Sequence, residues 1–128
     1  MSILKIYGGR ALHGALAEIA RPVQVTYRAI DQPEPDTEQA LADLMSLTPY
    51  LSVDLQPELF GQVDRLTVRA EVGGELIFVG PPVGTELAAL VSAIIVVGRG
   101  SSGLSVATRQ TLAALPRPVH LVVFTTPT

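Results

Sequence analysis

The chain has no cysteine. That excludes a disulfide framework, a thiolate metal site and any thiol redox chemistry carried out by these residues. It also has no tryptophan and only two histidines, His13 and His120. They lie far apart, without acidic neighbours at metal-ligand spacing, so zinc catalysis is not expected. Charged residues make up 16% of the chain against 48% apolar, which argues for a packed domain and against disorder. The net charge of −3 argues against a nucleic-acid binder. No apolar run is long enough to span a bilayer, and Ser2 to Arg10 is too short and polar for a secretory signal. The expected setting is cytoplasmic. All twelve acids lie at or before Glu86, so residues 87–128 carry only Arg99, Arg109 and Arg117 as full charges.

At 128 residues the chain has the length of one domain. Leu12, Ala15, Leu16 and Ile19 recur at helical spacing, predicting a helix over 10–20. Val23 to Ile30 has strand composition. Asp36 is placed to cap a helix to about Leu47, with Ala40, Leu41, Leu44 and Met45 on its buried face. Tyr50 to Leu55 and Arg65 to Glu71 alternate as strands, and Gly73-Gly74 turns the second back as Leu76 to Val79. Pro81 and Pro82 stop that strand. Leu87, Leu90, Val91, Ile94 and Ile95 then fit a core-facing helix starting at Glu86 and ending at Gly98. Ser105 starts a last helix through Leu115, and Val119 to Thr125 closes the chain as an apolar strand. A βαβ crossover, a hairpin and a covering helix give a mixed sheet of about four strands with helices on both faces. That is a three-layer α/β sandwich of the thioredoxin type.

Two stretches can carry chemistry. Gly98 to Gly103 matches the dinucleotide pattern G-x-G-x-x-G, with Ala93 to Val97 as its strand and Ser105 to Leu115 as its helix. No acid follows Glu86 to hold a ribose, so this nucleotide-binding reading is only an alternative. The other stretch is Gly80-Pro-Pro82-Val-Gly84-Thr-Glu86. Here Glu86 is either a first-turn helix acid or a proton-handling carboxylate at the sheet edge. No G-x-S-x-G elbow supports a nucleophilic serine.

The run Phe78-Val-Gly80-Pro-Pro82-Val-Gly84-Thr-Glu86-Leu87 resembles a segment of two related groups. They are the N-terminal domain of the alkyl hydroperoxide reductase flavoprotein subunit and the glutaredoxin-like protein disulfide oxidoreductases. Pro118 to Thr128 resembles the strand that, in both, runs into a Cys-x-x-Cys pair, and Arg21-Pro22-Val23 is similar to their entry into the first strand. The resemblance implies a first, cysteine-free thioredoxin-like domain over 1–117. It also implies that 118–128 begins a second thioredoxin fold. Departures fit that placement: Ile30-Asp31-Gln32-Pro33 stands where a redox pair would lie, and Val63-Asp64-Arg65 where a cis-proline would precede the third strand.

By resemblance the chain is a non-catalytic half of a disulfide relay for peroxide or disulfide reduction, not an enzyme by itself. Its role is scaffold and partner surface. Glu86 would assist proton transfer at the second fold's disulfide, with Gly80, Pro82 and Gly84 shaping the cleft. FAD and NADH belong to the full system, with no cofactor or metal in this chain. The implied partners are a second thioredoxin-like fold or an identical chain, paired through Val119 to Thr125 as a homodimer, and a peroxiredoxin. Nucleic acid and membrane are not expected as partners. A stand-alone interaction module is the other alternative.

Overall fold

The computed structural model describes residues 9–125. The order is α1 (Gly9–Leu16), β1 (Val23–Ala29), α2 (Pro35–Leu47), β2 (Leu51–Pro57), β3 (Arg65–Arg69), β4 (Glu75–Val79), α3 (Glu86–Arg99) and α4 (Val106–Ala113). The strands form one mixed sheet, β2-β1-β3-β4. β1 lies parallel to β2, Val25 opposite Val53, and antiparallel to β3, Val25 opposite Val68. The β3–β4 hairpin sets Leu66 opposite Phe78.

Strand alternation divides the sheet into two unlike faces. Val23, Val25, Tyr27 and Ala29 point to one side, with Leu51, Leu66 and Val68, and all are buried. The apolar stripes of the helices meet them there in one core: Leu12 and Leu16 from α1, Ala40, Leu41 and Leu44 from α2, and Leu87, Leu90, Val91, Ile94 and Ile95 from α3. Full burial of one such leucine or isoleucine contributes about 1.5–3 kcal/mol. Gln24, Thr26, Arg28, Ser52, Asp54 and Gln56 face the other way and line an open polar groove. A polar face gives a helix nothing to bury, and α1, α2 and α3 all pack on the apolar side rather than on both faces.

Several expected boundaries move. α1 stops at Leu16, short of Ala20, and tight turns carry the chain onward (Glu18 N to Ala15 O, 3.2 Å; Ile19 N to Leu16 O, 3.1 Å). The early stop drops Ile19 onto Gly98. A β-carbon at Gly98 would lie 2.7 Å from Ile19 Cγ2 and 3.1 Å from Val23 Cγ2. Gly98 therefore sits inside α3 as a packing contact and does not end it. The helix ends at Gly100, a left-handed cap with φ 77°. Arg21 reaches over this end, its Nε donating to Val97 O at 2.7 Å, while Ala20 N donates to Gly98 O at 3.1 Å.

At the start of α2 the cap is Glu34, with Pro35 in the first turn, and not Asp36. Thr37 joins the buried face there, while Met45 is turned out. Leu55 is also exposed, because β2 is an edge strand. α4 starts after Ser105, whose hydroxyl accepts from Thr108 N at 3.2 Å, but none of its residues is buried. Val119 to Thr125 forms no strand: no neighbouring edge pairs with it, and Leu121, Val123 and Phe124 stand in solvent. Thr126 to Thr128 lie outside the described residues.

Candidate functional site

The carboxyl end of β1, the amino end of β3 and the turn before α3 meet around Asp64. The Tyr27 ring is buried in the core, and its hydroxyl must find polar partners. It donates to Asp64 Oδ2 at 2.7 Å and accepts from Glu34 N at 2.9 Å. Asp64 Oδ1 accepts from Ile30 N at 3.0 Å, and Asp64 O accepts from Gly80 N at 2.7 Å. One residue thus ties together the end of β1, the entry to α2 and the start of the glycine–proline turn. Burial, with the Asp64 carboxylate alongside, pushes the Tyr27 phenol up from 10.0 to about 12, against the opposing backbone bond from Glu34.

This network fills the place where the family resemblance puts a redox pair and a facing cis-proline. Ile30 N is held by a carboxylate, and Asp31 and Gln32 stand exposed beside it. The chain has no cysteine to supply a thiol there. Among the described residues, no three His, Cys, Asp or Glu side chains gather as metal ligands.

The turn itself uses glycine for its backbone, with φ 91° at Gly80 and 57° at Gly84, a region that disfavours other residues. Pro82 is buried, and its carbonyl accepts from the buried Thr37 hydroxyl at 2.6 Å. The turn is thereby fastened to α2 as well as to Asp64. It delivers Glu86 to the first turn of α3, where a carboxylate meets the positive end of the helix dipole. Thr85 precedes it without a capping side-chain bond to the helix. Glu86 is half-buried, and its Oε1 accepts from the Thr125 hydroxyl at 3.0 Å. The last described residue therefore arrives at the one acid that the sequence singles out.

The remaining candidates disperse. His13 and His120 are both exposed. Ala93 to Val97, the strand of the nucleotide alternative, lies within α3, so Gly98 to Gly103 has no strand–turn–helix setting. Its arginine is used locally: Arg99 Nε donates to Ser101 O at 2.8 Å, and its guanidinium pairs with Glu18 at 3.6 Å. Sequence reasoning misses Thr37, Tyr27 and Asp64 as a set. One signal is present. Thr37 falls on the stripe of Ala40, Leu41 and Leu44, and a hydroxyl on a core-facing stripe needs a partner.

No family model and no curated protein sequence matches the chain. Solved structures do. The alkylhydroperoxide reductase AhpF of Enterococcus faecalis superposes with TM-score 0.68 at 19% identity, over 84% of this chain and 58% of that one. The N-terminal domain of the same reductase gives TM-score 0.69 at 19% identity, over 84% and 59%. A protein disulfide oxidoreductase from Aeropyrum pernix gives 0.64 at 26% identity, over 83% and 53%. The chain spans little more than half the length of these structures. Its fold is thioredoxin-like, and it is similar to both the N-terminal domain of AhpF and the archaeal disulfide oxidoreductase.

Proposed function

We propose that this domain is the non-catalytic half of a tandem thioredoxin-like unit in a disulfide relay for peroxide or disulfide reduction. The observation that carries this reading is the Thr125–Glu86 hydrogen bond. It sets the segment that resembles the entry to a redox pair against the half-buried carboxylate at the head of α3. A disulfide following that segment would have Glu86 as its proton-handling group, the Gly80–Gly84 turn as one wall of its cleft, and a cysteine-free scaffold behind it. In this reading Val119 to Thr125 becomes ordered as a strand when a second thioredoxin-like fold, or an identical chain, pairs with it. Electrons come from NADH through FAD to that second fold, and a peroxiredoxin receives them. This domain binds neither cofactor.

The test joins a Cys-x-x-Cys thioredoxin fold after Thr128. Once reduced, the joined protein is expected to reduce an aromatic disulfide, its own two thiols closing to a disulfide as they do so, and this chain by itself to reduce none. In the joined protein, Glu86→Gln is expected to shift the pH profile of alkylation of the first cysteine. An unshifted profile removes Glu86 from proton handling, and turnover by the unjoined chain overturns the non-catalytic reading.

A further inference from the structure

β4 is an edge strand, with β3 as its one neighbour in the described sheet. An antiparallel ladder alternates hydrogen-bonded and non-hydrogen-bonded pairs. Gly80 N donates to Asp64 O at 2.7 Å, and this pair continues the register that sets Val79 opposite Arg65. Counting back in twos, the bonded pairs of the hairpin are Phe78 with Leu66 and Leu76 with Val68. Glu75, Ile77 and Val79 fall between them. Their backbone N–H and C=O groups point away from β3, and no described residue takes them. Another strand is what matches a row of groups at that spacing.

The edge carries none of the usual guards. From Glu75 to Val79 it has no lysine, no proline and an unbroken register without a bulge. Leu76, Ile77 and Val79 are exposed along it. The opposite edge is built differently: β2 carries Asp54 and Gln56 and ends in Pro57, which has no N–H to offer.

The β4 sequence Glu-Leu-Ile-Phe-Val is also complementary to itself. With a two-fold axis at Ile77, Leu76 lies opposite Phe78 of a second copy, and Glu75 opposite Val79. Apolar side chains then meet on both faces of the joined sheet. The two Glu75 carboxylates stand at opposite ends, so like charges are not opposed. Ile77 with Ile77, and Glu75 with Val79, are pairs whose free backbone groups face each other, so the outward row is satisfied by its own copy.

We propose that two copies of this chain join edge to edge through β4, antiparallel, so that two four-stranded sheets become one. The edge is five residues long, so the interface is small and the dimer weak. The pairing uses neither Glu86 nor Val119 to Thr125, and it stands or falls independently of the relay reading.

The test is sedimentation of the full chain over a concentration series, joined to amide hydrogen exchange. A dimer should appear as concentration rises into the hundreds of micromolar. The amides of Glu75, Ile77 and Val79 should gain protection with it, whereas those of Leu76 and Phe78, bonded to β3, should be protected throughout. Ile77→Lys sets two ammonium groups across the axis and should weaken association about tenfold with an unchanged circular dichroism spectrum. Leu121→Asp should associate like the parent. Exchange is read on the parent chain, so the test does not depend on the folding of Ile77→Lys. Four results would overturn the proposal: a monomer throughout, a dimer without protection of those three amides, undiminished association of folded Ile77→Lys, or loss of the dimer in Leu121→Asp, which would assign association to the closing segment.

Discussion

The Thr125 hydroxyl donates to Glu86 Oε1 across 3.0 Å, between residues 39 positions apart. The contact links the start of α3 to a segment that otherwise stands in solvent. Thr125→Val removes the donor and keeps the shape. Backbone relaxation measured by nuclear magnetic resonance should then show faster motion over residues 121–125, with the global stability within about 0.5 kcal/mol of the parent. Glu86→Gln removes the charge from the helix start and should cost about 0.3–1 kcal/mol in urea unfolding.

Gly98 should tolerate no methyl group. The added carbon would meet Ile19 at 2.7 Å and Val23 at 3.1 Å. Gly98→Ala is expected to destabilise by about 1–3 kcal/mol through overpacking. Pairing it with Ile19→Ala should recover part of that loss, and a denaturant double-mutant cycle measures the coupling.

The Tyr27 phenol gives stability an alkaline limit. Its value is 10.0 unfolded and about 12 folded, so its contribution is fully present below pH 10 and lost as pH rises towards 12. Tyr27→Phe should abolish that slope. At neutral pH it should cost about 1–3 kcal/mol, because Glu34 N loses its acceptor and Asp64 a donor. Unfolding curves at stepped pH test both claims.

Thr37→Val keeps the volume and deletes the hydroxyl that holds Pro82 O. The buried carbonyl is left without its partner, at an expected cost of about 1–3 kcal/mol. Amide exchange should rise in the turn from Val83 to Glu86 more than in β1, which separates a loosened turn from general destabilisation.

Periodicity makes the sheet and the main helices legible. Leu87, Leu90, Val91, Ile94 and Ile95 are all buried as their spacing requires. Gly80 and Gly84 take positive φ in the turn that leads to Glu86 at the head of α3. Errors arise where a residue's role depends on a distant partner. Gly98 reads as a helix terminator because its neighbour, Ile19, comes from another element. Val119 to Thr125 has strand composition, but a strand exists only when an edge is offered to it. Asp64 and Tyr27 are 37 positions apart, and their bond leaves no local trace in the sequence.

The central position of β1 governs how the chain can fold. β1 precedes both of its neighbours, yet neither pairing can close until a long intervening segment has been made. The β3–β4 hairpin, joined by five residues, can form on the microsecond scale of local contacts. β1 must first wait for α2 and β2, and then for β3. Loop closure across that distance is the slow, entropically costly event. Substitutions in the β1–β3 contact, such as Val25→Ala or Val68→Ala, should therefore slow folding, and so should substitutions in the hairpin turn, which is already formed when that contact closes.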